Sequence, residues 1–245
     1  MRTSISLYFA FAFLLFSCEK NSDTTATSDT GVAGSLTRFT IIGNYIYAVS
    51  SHELYTIDIS NPATPVQVGQ TQFNYDMETI YPYKNRLFVG SKTGLYIYSI
   101  DTASAPRLIG EAKHGRSCDP VVANDTVSYS TLKSNTYCGP ATSGLYVYNI
   151  KDLNQPQLMK TIPIDEPVGL GMVDSVLYVC CGSQGMKVFS IKDAYNPVEV
   201  KTISDSDFTD VIPYHDLLIC WVNDGIVLYD ISNRFQPVLI KKVTT

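Results

Sequence analysis

Gly144 to Pro156 reads GLYVYNIKDLNQP. As an extended strand it is apolar on both faces, with Leu145 and Val147 on one side and Tyr146, Tyr148 and Ile150 on the other, so both faces need cover. Four variants occur elsewhere: LYTIDISNPATP from Leu54, GLYIYSIDTASAP from Gly94, GMKVFSIKDAYNP from Gly185 and GIVLYDISNRFQP from Gly225. Their closing prolines, Pro65, Pro106, Pro156, Pro197 and Pro237, are separated by 41, 50, 41 and 40 residues. A period in this range marks a supersecondary unit that cannot bury its own apolar face and must lean on the next.

Each copy is preceded by a second apolar run, YIYAVS, RLFVGS, TVSYST, VLYVCC or LLICWV, with the aromatic and β-branched content that pleated strands prefer. Upstream of that lies a third run, RFTIIGN, ETIYPYKN, DPVVAND, GLGMVDS or TDVIPYHD, most of them ending in the residues that close tight hairpins. After each proline comes a fourth, such as PVQVGQT or PVLIKKV, whose first residue lacks an N–H and so suits an exposed edge or a strand start. Four strands per repeat, five repeats and no helical periodicity after residue 18 predict an all-β fold, a β-propeller of five blades of four antiparallel strands. The repeats run over about 36–74, 75–114, 115–164, 165–204 and 205–245. A two-sheet sandwich gives no reason for the recurring period. No blade mixes the two chain ends, so ring closure rests on side-chain packing between blades one and five, with an open arc or an edge-paired dimer as the alternative.

LYTIDISNPATPV (Leu54 to Val66) and GIVLYDISNRFQPV (Gly225 to Val238) resemble the LVIVD repeat, and the other copies match it more loosely. That resemblance implies a propeller of a bacterial or archaeal surface protein, a scaffold with no common activity and no catalytic residues to carry over. There is neither the Trp-Asp blade ending of WD40 repeats nor the paired glycines of kelch.

The first 17 residues carry one early Arg, an apolar run from Ile5 to Phe16 and the small Ser17, the pattern of a secretory signal too short to span a membrane comfortably. Leu15-Phe16-Ser17-Cys18 resembles a lipobox, which implies removal of residues 1–17 and a diacylated Cys18; Phe16 suits Bacteroidetes-like lipoproteins. Each buried acyl CH₂ contributes about 0.8 kcal/mol, so two or three chains anchor the protein firmly. Residues 18–35 are nearly devoid of apolar side chains and read as a lipidated cysteine on a solvated tether. Glu19, where a retention signal has Asp, implies delivery to the outer membrane or cell surface.

The net charge of −5 argues against nucleic acid as the main partner. The protein is expected to be a monomer without cofactor or metal. After removal of the signal, Cys18 is followed by five cysteines. Cys118 and Cys138 reach the same face and are candidates for a disulfide; such a bond would close a 21-residue loop and stabilise by about 3 kcal/mol. Cys180 and Cys181, adjacent on one strand, should point to opposite faces and, with Cys220, serve as small buried hydrophobes.

In a propeller the loops joining strands two and three lie on the same face as those leading into the next blade. That face gathers Gln72–Glu78, Lys113–Asp119, Ile164–Pro167, Asp205–Asp210 and an insertion, Leu132–Gly144, that accounts for the one long spacing. Lengthened loops often carry function. The candidate ligand residues are therefore Asp76, Glu78, His114, Arg116, Asp119, Tyr137 and Asp210, presented to an extracellular protein or glycan. An enzyme finds little support: the three histidines fall in different repeats, and there is no G-x-S-x-G, H-E-x-x-H or phosphate-cradling loop. The alternative function is a carbohydrate-active enzyme with paired carboxylates at the channel mouth, weighed against the plainer reading of those carboxylates as solvated turn caps.

Overall fold

The structure, a computed structural model, describes residues 34–114, 120–133 and 142–244. Among them there is no helix, and twenty strands form five four-stranded sheets. Blade one is β1 (Phe39–Ile42), β2 (Tyr45–Val49), β3 (Glu53–Asp58) and β4 (Val66–Gln72); blade two is β5 (Met77–Tyr83), β6 (Arg86–Ser91), β7 (Gly94–Ser99) and β8 (Arg107–Lys113). Blade three is β9 (Val121–Ala123), β10 (Val127–Leu132), β11 (Gly144–Asn149) and β12 (Gln157–Pro163). Blade four is β13 (Leu170–Val173), β14 (Val176–Cys180), β15 (Met186–Ser190) and β16 (Val198–Ile203), and blade five is β17 (Phe208–Tyr214), β18 (Leu217–Val222), β19 (Gly225–Asp230) and β20 (Val238–Thr244). Each sheet is an antiparallel meander in sequence order, as the sequence predicts. Residues 1–33, which include the expected signal segment 1–17, Cys18 and most of the expected tether, lie outside the described residues, as do Arg116, Cys118, Asp119, Tyr137 and Cys138.

The recurring motif residues each have a structural job. The isoleucine that ends the third-strand motif donates its N–H to the carbonyl of the first hairpin of its own blade: Ile59 to Asn44, Ile100 to Asn85, Ile150 to Thr126, Ile191 to Ser175 and Ile231 to Asp216. The turn that follows closes with the same hydrogen bond in all five blades, from Thr64 to Asn61, Ala105 to Thr102, Gln155 to Asp152, Asn196 to Asp193 and Gln236 to Asn233. A register shift falls at one equivalent place in every third-to-fourth strand pair, between Thr56/Ile57, Ile97/Tyr98, Val147/Tyr148, Val188/Phe189 and Leu228/Tyr229. Such a bulge adds twist and lets the outer strand turn away from the sheet.

Blades stack through four apolar clusters, between one and two (Tyr47 and Leu54 with Leu87 and Tyr98), two and three (Phe88 and Ile97 with Val121 and Tyr148), three and four (Tyr129 and Val147 with Leu177 and Phe189), and four and five (Tyr178 and Val188 with Leu218 and Tyr229). β11, from the doubly apolar stretch at Gly144, is buried along five of its six residues because it is covered on both sides. Cys180 joins the cluster facing blade five and Cys181 the one facing blade three, so the adjacent thiols do point to opposite faces; with Cys220 they are free and buried. Burial pushes the Cys181 thiol up to about 12 and raises Cys180 and Cys220 as well, so all three stay protonated and behave as apolar filler.

A hydroxyl ties most junctions. The third residue of the second strand is Tyr47, Phe88, Tyr129 or Tyr178 in blades one to four. Tyr47 donates to the Ala103 carbonyl at 3.2 Å, Tyr129 to Ala194 at 2.7 Å and Tyr178 to Arg234 at 2.6 Å, each reaching the third-to-fourth strand turn of the next blade. Blade five has Ile219 there.

Between blades five and one no apolar cluster of the other four kind forms among the described residues; Phe39, Ile41, Trp221 and Ile226 are 58%, 45%, 67% and 45% exposed. What links the ends is a short polar crossing. Ser35 donates to Asp210 Oδ1 at 3.0 Å and accepts from the Leu170 N–H at 2.8 Å, while Thr37 exchanges backbone and side-chain bonds with Ile80. Ser35, expected at the end of a solvated tether, is fully buried, and residues 34–37 run across the inner strands of blades two, four and five.

Candidate functional site

Of the sequence-derived ligand residues, Asp76 lines a cleft of about 600 Å³ between blades one and two. The elements that build it are the β4–β5 loop with Asn74, Tyr75 and Asp76, the β6–β7 turn with Lys92 and Thr93, and the outer strand β8 with Glu111 and Lys113. His52 closes it from blade one. These are the connections that the strand grammar places on the loop face. A two-residue turn at Lys92–Thr93 is held by the Thr93 N–H donating to Ser91 Oγ at 3.1 Å, which aims the lysine at the loop opposite.

Asp76 is the polar centre. Lys92 Nζ lies 3.0 Å from its Oδ2 and His52 Nε2 lies 3.4 Å from its Oδ1, both half-exposed pairs of small energetic weight but fixed geometry. Glu111 pairs with Lys113 at 3.2 Å on the outer strand. Between these charges stand two tyrosine rings, Tyr75 and Tyr96, stacked at 3.6 Å and 8°. Tyr75 is also hydrogen-bonded to Tyr98, whose hydroxyl is pushed up to about 12 by burial. Burial raises Tyr75 too, so its hydroxyl keeps its proton and serves as a neutral donor or acceptor. The cleft thus combines an aromatic wall, two carboxylates and two ammonium groups, which equips it to bind a polar, polyhydroxylated ligand.

Glu78 is half-buried at the register shift in β5 and His114 is half-buried near Tyr146, with ring centroids 6.4 Å apart; neither lines the cleft. Asp210, on the first strand of blade five beside Trp221, is only 8% exposed: its carboxylate accepts from Ser35 and from the N–H groups of Leu36 at 3.4 Å and Val211 at 2.9 Å. The protein itself occupies it. Arg38, in the equivalent inner-strand slot of blade one, is exposed instead. Among the described residues no group of three His, Cys, Asp or Glu side chains is arranged to hold a metal. Sequence reasoning missed Tyr75, Lys92, Tyr96 and Glu111 as a set, since each taken alone reads as inter-blade packing or a solvated turn. Their one sequence signal was position, all four falling within the repeat 75–114.

The profile of the beta propeller domain matches residues 42–215, and that of the LVIVD repeat matches residues 218–245. The chain belongs to the beta propeller domain family. No curated protein matches this propeller in sequence. Among solved structures it is similar to a functionally unknown protein from Desulfotomaculum acetoxidans, at 15% identity and a TM-score of 0.65, covering 83% of this chain and 67% of that one. It is also similar to apo AztD from Citrobacter koseri, at 13% identity and 0.59, covering 81% and 58%. A hypothetical selenium-binding protein from Sulfolobus tokodaii matches at 12% and 0.58, covering 82% and 59%. The propeller spans about three-fifths of the latter two chains, and at these identities the likeness is one of fold alone.

Proposed function

We propose that the protein is an exported, lipid-anchored propeller that binds an extracellular glycan through its loop face, at the cleft around Asp76. The observation that carries this reading is the juxtaposition of the Tyr75–Tyr96 pair with Asp76, Lys92, Glu111 and Lys113 in one cleft of about 600 Å³. Aromatic rings supply contact area with little conformational entropy to lose, and carboxylates and ammonium groups hydrogen-bond to hydroxyls from several directions. The anchor rests on the sequence, through the lipobox-like Leu15–Cys18.

The full chain is screened on an array of extracellular and plant polysaccharides beside a variant carrying Asp76→Asn and Lys92→Ala. Binding by the native chain that falls at least tenfold in the variant, with melting temperature nearly unchanged, supports the cleft. Undiminished binding places the site elsewhere, and release of reducing sugar from the bound glycan would favour the carbohydrate-active alternative. In cells, Cys18→Ser should free the protein from the membrane fraction.

A further inference from the structure

The two sheets at the ends of the blade series each present an apolar face that lacks a neighbour within the described part of the chain. In blade five, strand pairing puts Ile212, Ile219, Trp221, Ile226 and Leu228 on one face, with Asp210 at its inner end, opposite the face that packs on blade four. In blade one it puts Phe39, Ile41, Ile46, Tyr55 and Ile57 on the face turned away from blade two. We infer that these faces are the two halves of a docking interface, the blade-five face of one copy of the chain seating on the blade-one face of a second copy.

The interior junctions show why a second copy is the occupant. The residues of blade four equivalent to Trp221, Ile226 and Leu228 are Cys180, Met186 and Val188, all fully buried against blade five. The residues of blade five equivalent to Phe39, Ile46, Ala48, Tyr55 and Ile57 are Val211, Leu218, Cys220, Val227 and Tyr229, all at most 1% exposed against blade four. The end faces therefore repeat, position for position, the front and the back of a junction that the chain already builds four times.

The polar rim matches as well. Lys160 and Lys201, at the bulge of the outer strand, reach Asn196 and Gln236 in the turn of the next blade at 3.1 and 3.2 Å. The equivalent lysine of blade five is Lys241, exposed, and the equivalent turn residue of blade one is Thr64, also exposed and able to accept. Blade five departs from blade four by lacking the tyrosine at Ile219, by carrying Asp210 and Ile212 where blade four has Gly169 and Gly171, and by adding Trp221, a residue type enriched where interfaces concentrate their energy. The contact is head-to-tail, so it can continue into a closed ring or a filament. It is independent of the cleft at Asp76 and departs from the monomer that the sequence suggests.

Trp221 is the sole tryptophan of the chain, so it reports directly. The full chain is studied by sedimentation and by tryptophan emission over a range from nanomolar to about 100 μM. The expected result is a mass that rises in multiples of the protomer, with emission shifting to shorter wavelength as Trp221 leaves water. Trp221→Glu and Ile41→Glu should each remain monomeric, and mixing the two should restore a one-to-one pair, because each variant keeps one intact face; the restored pair also shows that both variants are folded. A native chain that stays monomeric throughout, or association that survives Trp221→Glu, overturns the proposal. So does association lost in both variants and not restored on mixing while both keep the native circular dichroism spectrum.

Discussion

Asp210 shows how one residue can look functional in a sequence and be structural in the fold. Burial is the main influence on it and raises its pKa above the ordinary 3.8, against the hydrogen bonds from Val211, Ser35 and Leu36. Gly169 beside it has no alternative, since a Cβ there would lie 2.3 Å from Asp210 Oδ1. An acid whose pKa is higher folded than unfolded binds its proton more readily in the native state. Its contribution is then most favourable below the unfolded value and is lost as pH rises through the folded one. The stability of the native chain relative to Asp210→Asn should therefore fall as pH rises from about 4 and level off once Asp210 is fully ionised. Urea midpoints of the two proteins across pH measure this, and a difference that does not vary with pH would show that Asp210 is not titrating in a buried site. At the same scale, Tyr47, Tyr129 and Tyr178 tie successive blades through one hydroxyl each. Burial pushes Tyr47 up to about 12, so the donor persists at any physiological pH.

The outer strand of each blade is the element on which the junctions differ. At its bulge, blades one and two have Gly69 and Gly110, whereas blades three, four and five have Lys160, Lys201 and Lys241. Gly110 packs so closely on the next blade that a Cβ would come within 1.7 Å of the Leu153 carbonyl oxygen. The blade-two outer strand thus approaches the turn of blade three directly, where the lysine blades span the gap with a side chain. Gly110→Ala should cost about 1–3 kcal/mol, the usual range for overpacking a filled site. Lys160→Ala, which removes an exposed hydrogen bond to Asn196, should cost less than about 1 kcal/mol. Denaturant unfolding of the two variants checks the order, and equal costs would mean that the backbone approach at Gly110 relaxes freely. The fourth strands themselves are exposed along most of their length, β20 throughout, as expected of edges that begin after proline.

For the whole molecule, stability should be distributed as in other repeat arrays, where each unit draws on its neighbours. Blade three is packed on both sides, while blades one and five each lack one neighbour within the described chain. Hydrogen exchange at low protein concentration should find β10 and β11 protected to the level of global unfolding and β2 and β18 opening by smaller, local events. Uniform protection of all five blades under those conditions would mean that the ends are closed by contacts equivalent to the interior ones. The blade count, the meander in each blade and the double-sided burial of β11 could all be read from the chain, because spacing of prolines, strand-length apolar runs and hairpin residues are local properties. Cys180 and Cys181 could be assigned opposite faces for the same reason, since the pleat alternates with a period of two. The cleft around Asp76 could not, because it forms only when the β4–β5 loop folds so that Tyr75 stacks on Tyr96 and Asp76 meets Lys92 of blade two and His52 of blade one, contacts that no local pattern specifies. Nor could the roles of Ser35 and Asp210, which lie 175 positions apart and meet only in the folded chain. Periodicity along a chain determines what each blade is; the angle and spacing between blades, which come from packing, determine which side chains share a site and which faces remain uncovered.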